Sequence, residues 1–294
     1  MGGGTDLLVS LEEGFVRATS VVDLRGVAGS DRIESVADGS LRIGGSTRVQ
    51  DIAANPVIRE RFACLSAACE VVGTPALREM GTIGGNLCQR PRCWYLRRGV
   101  SCYKSGGSSC PAKEGENQYH AILDGGPCYI VHPSDPAVAL TALEAQIEIS
   151  GPSAPRVVGI ADFYVLPSER LDHETILGHG EFVSAVILPA TSAGGTQRYE
   201  KLMQREAWDF ALVSCAAIRR PSGDVRIVLG GVAPRPWRVP ESLEEDVAAG
   251  GLDEDTAAVV AERALYDARP LAMNGYKVKM AETLIRRSIA ELLS

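Results

Sequence analysis

Surplus positive charge, a membrane-length apolar run and a secretory leader are all missing from this chain of 294 residues, and each absence removes a class of function. Its 30 Lys and Arg are outnumbered by 37 Asp and Glu, whereas neutralising the phosphates of a nucleic acid needs basic residues in excess on one face. The expected partner is a small molecule or another protein, not nucleic acid. No apolar stretch approaches the roughly 20 residues that span a bilayer, and the start lacks the basic-then-apolar order of an export signal. No membrane contact is expected, and the cytoplasm is the expected location. Internal repeats, a low-complexity tail, a nucleophile set beside a base, and the Walker and Rossmann glycine fingerprints are lacking too. His120, His132, His173 and His179 are scattered and read as ordinary histidines rather than as a metal site.

An apolar content of 45% can bury a real core, and the length suits two domains. "MGGGTDLLVSLEEG" reads as a tight turn, capped by Thr5 or Asp6, that opens a helix. "VVDL" at Val21 and "LRIGG" at Leu41 read as short strands. "RVQDIAANPVIRERFACLSAACEVVG" reads as two helices broken around Asn55 and Pro56. A helix from about Pro136 runs into a strand ending near Ser150, and the looser stretch from Gly151 to about Gly180 is where the domain boundary is expected. Beyond it come "EFVSAVILP", "QRYEKLM", "FALVSCAAIRR" and "VRIVLGGVAP", four strand-like runs, then two helical patterns from Glu254 onward. Strands grouped ahead of helices predict an antiparallel sheet with helices on one face, an α+β arrangement. In the last helix Met280, Leu284, Ile285, Ile289 and Leu292 form the apolar stripe.

Two glycine turns, Gly2-Gly3-Gly4-Thr5 and Thr82-Ile83-Gly84-Gly85-Asn86, have the composition of a backbone anion site. Glycine allows close backbone approach, so successive N–H groups can converge on a phosphate while a hydroxyl or amide adds a donor. Each alone is an ordinary turn. Two in one domain, followed by His132-Pro133-Ser134-Asp135-Pro136 with a carboxylate suited to a ribose hydroxyl, tip the reading towards a dinucleotide.

Cysteine is not scarce: the chain has eight. Cys64, Cys69 and Cys215 sit in apolar runs and read as small buried hydrophobes. Cys88, Cys93, Cys102, Cys110 and Cys128 lie in Gly-, Ser- and Arg-rich sequence where a thiol has no core to fill. Four thiolates can hold zinc or an iron–sulfur cluster, and the gaps of eight, seven and seventeen residues between Cys93, Cys102, Cys110 and Cys128 do not match the tight pairs usual for zinc. Spacing leaves cluster, zinc and unligated thiols all open.

Taken together, "GGGTDLL", "GTIGGNL", "HPSDPAVALTALEAQI", "LGHGEFVSAVILP", "KLMQREAWDFALVSCAAI", "LGGVAPRPWR" and "NGYKVKMAETLIRRSIAEL" resemble, in order and over nearly the whole chain, the flavin-binding middle subunit of the molybdenum hydroxylases, relatives of xanthine and carbon monoxide dehydrogenases. The resemblance implies a two-subdomain FAD-binding module of the PCMH or vanillyl-alcohol-oxidase type over residues 1–170. A C-terminal antiparallel sheet with helices, like that of carbon monoxide dehydrogenase flavoproteins, would follow over 171–294. Relatives carry a strand and helix ahead of the first glycine turn, and this sequence opens at the turn, so that segment is expected to be missing. Residues Gly2, Gly3, Gly4, Thr5, Asp6 and Leu7 with Thr82, Ile83, Gly84, Gly85 and Asn86 would wrap the FAD pyrophosphate. Asp135 would meet the ribose or adenosine end and Lys201 the isoalloxazine, with Arg205 and Trp208 as weaker candidates.

The insertion at about 88–128 resembles the branch that includes periplasmic aldehyde oxidoreductases and, more distantly, 4-hydroxybenzoyl-CoA reductase, in which the flavin subunit holds an additional [4Fe-4S] cluster. That implies Cys93, Cys102, Cys110 and Cys128 as ligands, with Cys88 as the fifth choice. The family also implies two partners, a large molybdopterin subunit that oxidises substrate and a small [2Fe-2S] subunit that relays electrons to this FAD. Export on a partner's twin-arginine signal is the alternative to the cytoplasm. A stand-alone FAD oxidoreductase and a non-catalytic metal-binding assembly module remain as rival readings.

Overall fold

Leu41 and Ile43 alternate with Arg42, as Ile147 and Ile149 do with Glu148, and in both stretches the apolar pair is buried. The computed structural model describes residues 1–14, 16–250 and 254–292. Strands β1 (Ile33–Ser35), β2 (Leu41–Gly44), β3 (Gln146–Ser150), β4 (Arg156–Gly159) and β5 (Phe182–Leu188) form one antiparallel sheet in the order β1-β2-β5-β3-β4.

Short helices surround it. They are α1 (Leu7–Glu12), α2 (Val49–Ala54), α3 (Pro56–Arg61), α4 (Ala63–Glu70), α5 (Pro75–Met80), α6 (Ile83–Leu87), α7 (Trp94–Arg97), α8 (Asp135–Ala142) and α9 (Ile160–Phe163). Local chemistry sets their starts: Asn55 accepts from the Ile58 N–H and Pro56 takes the first turn of α3, Thr74 caps α5, and Ser134 caps α8 ahead of Pro136. The stretch expected as two helices is three, because the chain breaks again at Phe62, whose fully buried ring turns it into α4. "VVDL" is not a strand. Val21 and Val22 are exposed, and the segment is tied to the chain start by the Leu24 N–H donating to Met1 O at 3.0 Å.

The second sheet, β6 (Thr196–Leu202), β7 (Val213–Arg219), β8 (Val225–Gly230) and β9 (Trp237–Arg238), is antiparallel in sequence order. One face carries α10 (Glu241–Ala249), α11 (Glu254–Ala264) and α12 (Tyr276–Glu291), as the grouping of strands before helices predicts. Helix α10 was not foreseen, because its acidic run hides the Leu243/Val247 pair that anchors it. The other face packs on α4 and α8, so Ala216, Ile218 and Val228 belong to the core of the first domain while Val213, Cys215 and Ala217 belong to that of the second. Strand β7 is therefore covered on both sides, which is why "FALVSCAAI" reads as an unbroken apolar run. Cys64 and Cys69 are fully buried in the first core.

One boundary moves. Strand β5, grouped by sequence with the C-terminal strands after residue 170, is the centre of the first sheet, hydrogen-bonded to both β2 and β3. The chain crosses to the second domain between Leu188 and Thr196, because β5 supplies Val183, Val186 and Leu188 to the first core. Among the described residues no helix is long and apolar enough to cross a membrane.

Candidate functional site

The two glycine turns, some eighty residues apart in sequence, are packed against each other. A Cβ on Gly3 would fall 1.7 Å from the Met80 carbonyl oxygen, and one on Gly2 would fall 2.3 Å from Thr82 Oγ1. Only glycine allows that approach. Thr82 Oγ1 in turn accepts from the Gly85 N–H at 3.2 Å and caps α6. Gly2, Gly3, Gly4, Thr5, Asp6 and Leu7 line one wall of a cleft of about 490 Å³, and Thr82, Gly84, Gly85 and Asn86 line another. Ile83 departs from the expected set: its side chain is buried in the first core, because α6 turns that position inward.

Asp6, on the cleft wall, also makes ion pairs that sequence did not foresee. Its carboxylate accepts from Arg92 Nη1 at 2.6 Å, Arg97 Nη2 at 2.8 Å and the Arg90 backbone N–H at 2.8 Å. Burial alone would raise its pKa, but Arg92, the Arg90 N–H and Arg97 together hold it below the ordinary carboxylate value. The first glycine turn is thereby tied to the start of the cysteine-bearing insertion. Sequence reasoning missed these arginines, and their density between Cys88 and Gly99 was the available signal.

Asp135 and Lys201, expected at opposite ends of a flavin, form one buried ion pair at 2.8 Å. Tyr199 donates to the other Asp135 oxygen at 2.8 Å, and Lys201 also donates to the carbonyls of Val71 and Asp209. Burial pushes the Asp135 carboxyl up, and the Lys201 ammonium pulls against it. The two groups cannot serve both ends of an extended dinucleotide. Asp135 reaches the cleft wall, and Lys201 stands behind it as the counter-ion that joins α8 to the loop after β6. Trp208 lines the cleft, 65% exposed, with the Arg205 guanidinium 5.6 Å from its ring.

A second pocket, of about 360 Å³, continues from the first. Arg92, Pro133, Asp135, Asp209 and Phe210 line both. Trp94, Tyr119 and His120 of the insertion form one side of it, and Leu212 and Gly230 of the second domain form another.

Cys93, Cys102, Cys110 and Cys128 all line a single small cavity together with Tyr95, Tyr103, Lys104 and Ile130. Cys88 does not; it lines the glycine cleft. Cys93 also reaches the second pocket, so cleft, pocket and thiol cavity stand in series. The thiols influence one another: a hydrogen bond between Cys128 and Cys110 pulls the Cys110 pKa down and, with burial, pushes that of Cys128 up. Burial raises Cys93. Ser105 Oγ lies 3.5 Å from Cys102 Sγ, and His120 Nε2 lies 3.3 Å from Cys93 Sγ. The His120 pKa falls to about 4, first through burial and then through the Lys277 charge. Among the described residues no three His, Cys, Asp or Glu side chains converge as a single metal ion would require.

The insertion is held from outside by α12 and the turn before it. Lys277, 1% exposed, donates from Nζ to the carbonyls of Tyr119, His120 and Gly231 at 2.9, 3.2 and 2.7 Å. Asn274 donates to His120 O and Ala121 O, and the Met273 N–H donates to Asn117 Oδ1. Burial pushes the Lys277 amine down to about 7.

The chain is a mixed α+β protein whose two glycine turns line one cleft, beside the central strand of the first sheet and the loop after β6. The family model for the FAD binding domain in molybdopterin dehydrogenase matches residues 1–191, and the one for the CO dehydrogenase flavoprotein C-terminal domain matches residues 197–292. The chain belongs to this family, the FAD-binding medium subunits of the molybdenum hydroxylases, and is an oxidoreductase subunit. It is 37% identical to the aldehyde oxidoreductase FAD-binding subunit PaoB of Escherichia coli, over 99% of this chain and 90% of that one. It is 25% identical to the putative xanthine dehydrogenase FAD-binding subunit XdhB of the same species, over 100% and 88%. In fold it is similar to carbon monoxide dehydrogenase from Hydrogenophaga pseudoflava, with a TM-score of 0.75 at 23% identity over 99% of this chain and 88% of that one.

Proposed function

We propose that this chain is the electron-transferring FAD subunit of a molybdenum-dependent hydroxylase of the aldehyde or xanthine dehydrogenase type. It receives electrons from a [2Fe-2S] partner subunit, itself fed by a large molybdopterin subunit, and delivers them to an external acceptor. The observation that carries the reading is the series of cleft, pocket and thiol cavity, joined at Arg92 and Asp135 on one side and at Cys93 on the other. The residues present suit the flavin. Gly2, Gly3, Gly4, Gly84 and Gly85 line the cleft without side chains, and the pocket next door, lined by Trp94, Tyr119 and Phe210, suits a planar ring. Bound there, FAD would supply the exchange between one-electron and two-electron transfer.

A [4Fe-4S] cluster held by Cys93, Cys102, Cys110 and Cys128 is the second part of the proposal. The four cysteines line one small cavity, and four thiolates are the donor set such a cluster takes. The relative with 37% identity makes an aldehyde the leading substrate class for the complex.

Anaerobic purification of the complex from its native source, followed by flavin, iron, zinc and sulfide assay, tests both parts. One FAD and four iron with sulfide per copy of this chain, beyond the iron of the partner's clusters, is expected. Zinc without the extra iron and sulfide overturns the cluster, and an intact complex without flavin overturns the function.

A further inference from the structure

We propose that His120 is a positioning residue for the Cys93 sulfur: its Nε2–H donates to Cys93 Sγ across 3.3 Å, at the wall between the thiol cavity and the neighbouring pocket. This rests on the cluster reading given above.

The geometry assigns the proton. His120 is 4% exposed, and its Nδ1 has no hydrogen-bond partner. A proton on Nδ1 alone would leave a buried donor without an acceptor and set the Nε2 lone pair against an electron-rich sulfur. A proton on Nε2 leaves only an acceptor unpaired, the smaller loss, and gives the sulfur a donor. The ring is not free to turn away. Trp94 meets it edge-on with centroids 5.9 Å apart, and Tyr95 lies 6.3 Å from it. Its backbone is pinned at both ends: the N–H donates to Asn117 O at 3.0 Å, and the carbonyl accepts from Lys277 Nζ and Asn274 Nδ2. Three elements from two domains thus hold one imidazole against one sulfur.

The chemical consequence follows from charge. A hydrogen bond to a ligating sulfur stabilises the more negative, reduced state of an iron–sulfur centre and raises its potential. His120 is the neighbour placed to do this at the one cysteine that also lines the pocket proposed for the flavin ring.

The test is a redox titration of the intact, anaerobically purified complex followed by electron paramagnetic resonance, with His120→Phe and His120→Gln beside the wild type. Phe keeps the ring bulk and removes the donor, while Gln keeps an N–H of similar reach. With full iron in all three, a shift of the [4Fe-4S] potential to more negative values in H120F, near wild-type behaviour in H120Q and unmoved [2Fe-2S] signals support the proposal. Equal potentials in all three overturn it. So do equal shifts in both variants or loss of the four iron from both, which would make His120 a packing residue only. Wild-type complex lacking the additional iron removes the cluster reading itself, and that measurement precedes any variant.

Discussion

At the scale of single residues, Gly3 and Cys102 separate the two chemistries that the sequence places within one domain. An alanine at position 3 would put its Cβ 1.7 Å from a backbone oxygen, and backbone cannot swing aside as a side chain can. Gly3→Ala is expected to cost on the order of 1–3 kcal/mol of stability, as overpacking does, and to lower FAD content by displacing the first turn from the second. Thermal unfolding and flavin absorbance read the two effects. Cys102→Ser, by contrast, changes the thiol cavity and leaves the glycine cleft alone, so iron should fall while FAD content holds. Iron that stayed at the wild-type level would remove Cys102 from the ligand set. Residue types made both places candidates in the sequence, the glycines because two such turns fall in one domain and the thiols because they lie outside apolar runs. The tie between Asp6 and Arg92 and the pairing of Asp135 with Lys201 were not legible, because each joins positions 66 or more residues apart whose only sequence signal is their charge.

At the scale of elements, α12 does two tasks with two faces. Ala281, Leu284, Ile285 and Ile289 close the second core, and Lys277 near its start reaches across to the insertion. The apolar stripe was legible from its helical period, with Met280 only half-buried; Lys277 looked like one more surface lysine of "NGYKVKM". Its folded pKa of about 7 lies below the ordinary lysine value of about 10.4, so the unfolded chain binds the extra proton between these values. The penalty for burying the charge is fully present below pH 7 and is relieved as pH rises towards 10. Chemical denaturation should therefore show stability contributed by this group rising by up to about 1.4 kcal/mol per pH unit above pH 7. Lys277→Met should flatten that slope and loosen the segment 117–121, seen as faster amide exchange there. An unchanged slope would show that the three carbonyls keep the ammonium charged throughout.

At the scale of the whole molecule, the family's two domains are not separable bodies in this chain. The second sheet lends Ala216, Ile218 and Val228 to the first core, and Glu144 of the first domain pairs with Arg220 and Arg226 of the second at 2.6 and 2.7 Å. A fragment ending at residue 191 would expose the apolar faces of α4 and α8. It is expected to be poorly soluble or to bind a hydrophobic dye, while the full chain unfolds in one transition seen alike by far-ultraviolet and tryptophan signals. Two resolved transitions would show that the shared core contributes less than the packing implies.

The limits of sequence reading follow from range. Alternation of side chains, helical stripes, capping residues and glycine clusters are local, set by backbone geometry over a few positions, and from these the α+β class, most of the strands and both turn motifs could be read directly. Which strand joins which sheet, which carboxylate meets which arginine, and which cysteines share a cavity depend on contacts between distant segments, for which hydrophobic pattern carries no address. So β5 was legible as a strand, yet only the tertiary structure placed it at the centre of the first sheet. Cys93 was legible as a thiol in want of a partner, yet only packing against Trp94 and His120 set it between the thiol cavity and the pocket.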